Sequence, residues 1–271
     1  MTPAATVPTE LPTETTATSV ESLFRIEGQT AVVTGASKGI GLATATLLAR
    51  AGADVVGVST TMPDGVSDAR AAVEAAGRTF TPIAADLSDR GVVADLAARL
   101  AALEVDVLVN NGGTIRRAPA ADHSDEDFDE VMDINLRGAW VLSREVGRGM
   151  LARGRGKIVN TASMLSFQGG INVPGYTASK SALAGLTKAL ANEWAGRGVN
   201  VNAVAPGYVA TANTDPLRAD AERSAAILDR IPAGRWATPD DIAGAVLYLS
   251  APASNYVHGA ILPVDGGWLA R

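Results

Sequence analysis

Thr30-Ala31-Val32-Val33-Thr34-Gly35-Ala36-Ser37-Lys38-Gly39-Ile40-Gly41 decides the fold. A short run rich in β-branched residues breaks into glycines, and the alanine- and leucine-rich stretch Gly39–Ala51 follows at once. A strand that feeds a helix through such a turn leaves backbone N–H groups at the positive end of the helix dipole, where an anion such as a pyrophosphate is stabilised. The spacing Gly35-x-x-x-Gly39-x-Gly41 differs from G-x-G-x-x-G. By itself it is also compatible with a tight turn that binds nothing.

Working outward, the same strand-then-helix rhythm repeats to the end of the chain. Ala31–Thr34, Asp54–Val58, Phe80–Ala85, Val105–Asn110, Lys157–Thr161, Val199–Ala203 and Ala260–Val264 read as strands. Between them Gly39–Ala51, Val66–Gly77, Asp89–Leu103, Asp125–Leu151, Tyr176–Gly196 and Pro239–Ser250 read as helices, each long enough and apolar enough on one side to cover a sheet. Alternation of this kind predicts an α/β, doubly wound domain: a seven-stranded parallel sheet with helices on both faces. The expected domain is 24–271. Residues 1–23, rich in Thr, Pro, Ala and Glu with no Lys or Arg before Arg25, read as a disordered extension without the features of a secretory signal.

Composition narrows the chemistry. The chain has 271 residues, no cysteine and only two histidines, His123 and His258, which excludes a disulfide framework, a thiolate nucleophile and a Cys/His zinc site. No metal is expected. A net charge of −6 and a pI near 5.0 argue against nucleic acid as a partner, because phosphate-backbone binders carry a basic stripe. The basic stretch Arg144, Arg148, Arg153, Arg155 and Lys157 straddles an expected helix end, where cations offset the dipole. No 18-residue apolar run is present, so no membrane span is expected.

Tyr176 and Lys180 stand four apart on an expected helix and share one face. An ammonium beside a phenol favours the phenolate, which would suit Tyr176 to general acid–base work. Ser163 lies thirteen residues before Tyr176, just beyond a strand, where its hydroxyl can donate to an oxygen that gains negative charge. It reads as a polariser and not a nucleophile, since neither histidine falls in a matching motif. Each of these residues alone has a blander reading: a surface pair, a loop hydroxyl. Their joint spacing after a glycine turn is what carries the argument.

Thr34-Gly-x-x-x-Gly39-x-Gly41, Asp86-Leu87, Asn110-Asn111-Gly112-Gly113, Tyr176-x-x-x-Lys180 and Pro206-Gly207 together resemble the short-chain dehydrogenase/reductase family, in order and over residues 24–271. The resemblance implies a single Rossmann-type domain and hydride transfer with a nicotinamide dinucleotide. It implies a catalytic set of Asn135, Ser163, Tyr176 and Lys180, with Asn135 holding a water that links Lys180 to solvent. It also places Gly35, Ser37, Lys38, Gly39, Ile40, Gly41 and Ser59 at the phosphates and adenosine ribose, and Asp86 and Leu87 beside the adenine. Asn110 would brace the fourth strand near the ribose, Tyr176 and Lys180 would contact the cofactor as well as react, and Pro206, Gly207, Val209 and Thr211 would hold the nicotinamide end. Gly112 stands where the family usually has alanine, with a local shift as the expected consequence.

Val58-Ser59-Thr60-Thr61 ends the second strand without the acid that grips a 2′-hydroxyl or the base that welcomes a 2′-phosphate. NAD is the expected cofactor, with NADP open. Longer runs, Thr114-Ile-Arg-Arg117, Ala162-Ser-Met-Leu-Ser-Phe-Gln-Gly-Gly170 and Ile231-Pro-Ala-Gly-Arg-Trp236, resemble family members that act on keto sugar acids. Such a substrate needs a cation for its carboxylate and polar partners for its hydroxyls, for which Arg116, Arg117, Gln168, Asn172 and Asn213 are the candidates, beside Ser163 and Tyr176. Alternatives are the same chemistry on a 3-oxoacyl thioester, a polyol or a steroid, and a cofactor-sensing protein without turnover. Family habit further implies a cytoplasmic homotetramer paired through Asp125–Leu151 and Tyr176–Gly196.

Overall fold

The computed structural model describes residues 19–62 and 67–271. In chain order the elements are α1 (Val20–Phe24), β1 (Thr30–Thr34), α2 (Gly39–Arg50), β2 (Asp54–Ser59), α3 (Asp68–Ala75), β3 (Phe80–Ala84), α4 (Arg90–Ala101) and β4 (Val107–Asn110). They continue with α5 (Asp125–Met132), α6 (Ala139–Arg153), β5 (Gly156–Thr161), α7 (Pro174–Trp194), β6 (Val199–Pro206), α8 (Asp215–Ala219), α9 (Ala221–Arg230), α10 (Pro239–Ser250) and β7 (Ile261–Val264). The strands form one seven-stranded sheet in the order β3-β2-β1-β4-β5-β6-β7, and every pairing is parallel.

Strand periodicity sorts the core into two. Ala31, Val33, Val107, Val109 and Val159 face one side, under α2, α3 and α10, while Val32, Leu108 and Ile158 face the other, under α4, α6 and α7. Adjacent residues on a strand point to opposite faces, so a strand buried on both sides must be apolar throughout. Two glycines make close packing possible. A Cβ at Gly57 of β2 would lie 2.5 Å from the Phe80 ring, and one at Gly147 of α6 would lie 2.8 Å from Trp194.

The structure departs from the sequence reading in three places. Val20–Phe24, within the stretch expected to be disordered, is a short helix whose first turn Ser19 caps, and residues 1–18 of that stretch lie outside the described residues. Val66, the expected first residue of a helix, also lies outside them. The long helix expected over Asp125–Leu151 is divided by a π-helical segment, Asp133–Gly138, and α8 and α9 occupy a region where periodicity suggested no element. No helix among the described residues is long and apolar enough to cross a membrane.

Strand order reverses between β1 and β4. A crevice opens at such a switch, beyond the carboxyl ends of the strands, and it is where open α/β sheets bind ligands.

Candidate active site at the sheet switch point

The glycine turn occupies that crevice. Gly35 and Gly39 take positive φ, 69° and 55°, and a Cβ at Gly41 would stand 2.0 Å from the Gly35 carbonyl oxygen. Only bare Cα atoms let the turn fold back on α2 this tightly. Lys38, at the N-cap, makes no side-chain capping bond, which leaves the first-turn amides of Gly39, Ile40 and Gly41 uncapped by it. Across the crevice a Cβ at Gly39 would touch Thr211 Cγ2 at 3.3 Å, which brings the turn against the segment Pro206, Gly207, Val209 and Thr211 after β6. A cradle of free amides at a helix N-terminus fits the pyrophosphate of a dinucleotide.

The rest of the proposed cofactor set surrounds this cradle. Ser37 N–H donates to Ser59 Oγ at 3.2 Å, and the two hydroxyls pair at 3.2 Å, joining the turn to the end of β2. Asp86 Oδ1 accepts from the Ser88 amide and hydroxyl, and these bonds hold its carboxyl below the usual range. Asn110, buried at the end of β4, donates to Ser143 Oγ and Asn160 Oδ1, both at 2.9 Å, while its own Oδ1 has no protein partner. A Cβ at Gly112 would lie 2.9 Å from Leu87 Cδ1, so Leu87 closes over the space an alanine methyl would take.

Sequence reasoning passed over Thr34 and Asn111 as ties. Thr34 Oγ1 accepts from the amides of Asn111 at 2.9 Å and Gly112 at 2.8 Å, and Asn111 Nδ2 returns a bond to Thr34 O at 3.0 Å. Together they bind the ends of β1 and β4 across the switch point. Both residues stand inside the quoted motifs, yet their partners are 77 residues away, a distance no local pattern spans.

Asn135, Ser163, Tyr176 and Lys180 converge at the same end of the sheet. Ser163 Oγ accepts from Leu165 N–H at 3.1 Å, which leaves its O–H to donate, and it hydrogen-bonds to Tyr176. The Lys180 ammonium donates to Thr161 O at 2.6 Å and stands 5.6 Å from the centre of the Tyr176 ring. Burial pushes it down to about 8. Burial also raises the Tyr176 phenol above its ordinary value, while the Ser163 bond and the Arg117 charge act in the opposite sense. Lys180 is held by a backbone carbonyl while it stands beside the phenol ring.

Asn135 sits in the π-helical segment. Its Oδ1 accepts from Thr114 N–H at 2.8 Å, and its Nδ2 donates to Thr114 O at 2.9 Å and to Ser179 Oγ at 3.1 Å. The extra residue per turn rotates this carboxamide onto the 111–117 loop. A Cβ at Gly113 would lie 3.1 Å from Asn135 Oδ1 and 3.7 Å from Lys180 Nζ, so the bare glycine keeps an open gap between the two.

The candidate substrate residues separate. Arg116 is engaged by Glu130 through two bonds of 2.7 Å and by Asp127 at 3.3 Å, all pointing to α5. Among the described residues Arg117 donates only to Asn213 O, at 3.1 Å, joining the loop after β4 to the segment after β6. Asn172 is exposed, with φ 61°, and its carbonyl accepts from Ala118 N–H at 3.1 Å. Gln168 Oε1 accepts from the Trp268 indole at 3.3 Å.

A family model described as enoyl-(acyl carrier protein) reductase matches residues 35–269. The chain is 54% identical over 250 residues to a 2-dehydro-3-deoxy-D-gluconate 5-dehydrogenase of Pseudoalteromonas atlantica, covering 92% of this chain and 98% of that protein. To the Bacillus subtilis protein of the same name it is 52% identical, covering 92% and 97%. A solved structure from Beutenbergia cavernae, described as an NAD(P)-dependent gluconate 5-dehydrogenase with bound NADP at low occupancy, superposes with a TM-score of 0.89 at 56% identity, covering 92% of this chain and all of that one.

Proposed function

The chain belongs to the short-chain dehydrogenase/reductase family, and from that membership we propose that this NAD(P)-dependent oxidoreductase interconverts a keto sugar acid and its hydroxy acid. The substrate class is that in the names of its relatives, 2-dehydro-3-deoxy-D-gluconate 5-dehydrogenases. One observation carries it: of two adjacent arginines at the mouth of the site, one is consumed by carboxylates of the protein and the other carries none. An uncommitted guanidinium beside the reacting phenol suits a substrate that brings its own carboxylate.

When bound, the nicotinamide supplies or accepts the hydride. The protein handles the proton. Ser163 Oγ donates to the substrate oxygen as negative charge grows there. Tyr176 Oη delivers its proton to that oxygen in reduction and removes it in oxidation. A phenol raised by burial is fully protonated at neutral pH, which readies it as an acid. The return path runs by the gap at Gly113, where Asn135 Oδ1 and the buried Lys180 ammonium face one another. The glycine turn would hold the pyrophosphate, and Lys38, Ser37 and Ser59 the ribose side.

On cofactor choice, NAD was the sequence expectation, and a specific feature favours NADP. β2 ends on Ser59, paired with Ser37 of the glycine turn, where a carboxylate would repel a 2′-phosphate, and NADP is the dinucleotide bound in the Beutenbergia relative. Steady-state kinetics with both cofactors decides. The cytoplasmic, homotetrameric state belongs to the same proposal. Pairing of copies is supported by a mostly apolar groove of about 390 Å³ between Met132, Leu136, Trp140, Ala182 and Leu186, on the elements by which the family pairs.

The test is Tyr176→Phe with a panel of keto sugar acids. Turnover of the accepted acid should fall by at least about a hundredfold while dinucleotide affinity holds. A wild type that reduces 3-oxoacyl thioesters or uncharged ketones and no keto sugar acid would refute the substrate assignment.

A further inference from the structure

Beyond β7 the chain turns at Gly266 and Gly267, both with positive φ, and the turn is fixed by Asp265, whose two carboxylate oxygens accept from the amides of Gly267 and Leu269 at 2.9 Å. The turn lays Trp268, 5% exposed, in a small apolar cluster with Met164, Ile227 and Ile231. Its ring meets Tyr208 edge-on at 5.0 Å, and the Arg230 guanidinium lies 3.9 Å over its face. One side chain thus touches the segment after Ser163, the segment after β6 and the end of α9. Two of these segments adjoin the candidate site, one following Ser163 and the other lying in the stretch Pro206–Thr211.

Packing alone does not explain the indole N–H, which donates to Gln168 Oε1. A primary carboxamide has one acceptor end and one donor end. With the acceptor end taken by Trp268, Nε2 is the end left over, and it donates to no protein group among the described residues. Gln168 is half-buried, five residues beyond Ser163. A held carboxamide with two free N–H groups presents donors, and what complements it is an array of hydroxyl and carboxylate oxygens. An unheld carboxamide would offer either end and favour neither.

We propose that Trp268 is a specificity-determining positioning residue: its indole N–H fixes the Gln168 carboxamide as a donor toward the hydroxyl oxygens of the substrate. This deepens the keto sugar acid reading and rests on it for the identity of those oxygens.

The experiment compares Trp268→Phe, Gln168→Leu and the double variant of the full chain on the accepted hydroxylated substrate and on its analogue lacking one hydroxyl. Trp268→Phe should lower the kcat/KM ratio of the two substrates about tenfold, the worth of one neutral hydrogen bond, through KM more than kcat. Gln168→Leu should do the same, and the double variant should lose no more than either. Equal losses on both substrates, or additive losses in the double variant, overturn the proposal and leave Trp268 a packing residue.

A second readout needs no turnover. The Trp268 indole 15N–1H resonance should shift in Gln168→Leu, and an unmoved resonance also overturns the proposal. It serves equally if Trp268→Phe fails to fold. If the wild type accepts some other hydroxylated carbonyl compound, the substrate class fails, and the same ratio measured on that compound decides the role of Trp268.

Discussion

Arg116 and Arg117 have identical claims in sequence, and three contacts separate them. Arg116 is spent on Glu130 and Asp127, so Arg116→Ala should change substrate KM little and stability by no more than about 1 kcal/mol, as for exposed pairs. Arg117→Ala should raise KM for an anionic substrate about 10- to 100-fold, the worth of a charge-assisted bond. An uncharged ketone should be affected far less. The same substitution removes a positive charge that favours the Tyr176 phenolate. The pKa of the phenol then rises further, and the limb on which the rate of alcohol oxidation climbs with pH moves to higher pH. A profile that stays in place would dissociate Arg117 from the phenol. At this scale the candidate catalytic residues are legible in sequence because their spacing is local, four along a helix or thirteen across a turn. The choice between neighbouring arginines is not legible, because it depends on α5 and on Asn213.

The helices show the same division. Pro239–Ser250 is readable end to end: Thr238 caps it, Pro239 occupies the first turn, and Asp241 completes a capping box. Thr238→Ala should cost about 1 kcal/mol and lower Tm by roughly 2–4 °C. Asp241 also pairs with Arg235 at 2.7 Å, and that bond, with those from Thr238, holds its carboxyl well below the usual range. A folded value depressed in this way stabilises the protein fully above the unfolded carboxylate value of about 3.9 and loses that contribution as pH falls through the folded value. The advantage of wild type over Asp241→Asn in thermal melts should therefore be complete at pH 7 and shrink in acid. The division of the expected 125–151 helix is the contrary case. Apolar periodicity runs through it, and what inserts the π turn is the fit of Asn135 to Thr114 and Ser179, partners that lie outside the helix. α8 and α9 escaped notice because they bury little: among their residues Ile227 alone is buried.

At the scale of the whole molecule, the alanines of α7 divide: Ala191 packs into the sheet-side core while Ala182 and Ala189 face outward. The outward part, with Trp140 and Leu186, is the surface a second copy would cover. Trp140→Glu should convert the assembly to a smaller species in light scattering, and an unchanged mass would remove this groove from the interface. By itself the sequence determined the parallel sheet, the glycine turn and the Ser163, Tyr176 and Lys180 set, because each is written in short-range spacing and in strands that must be apolar on both faces. The tertiary structure alone decided that Lys180 is held by Thr161, that Arg116 and not Arg117 is paired with carboxylates, and that Trp268 reaches Gln168. Those outcomes depend on which distant polar group occupies each donor, and a chain acquires such pairings only once it is folded.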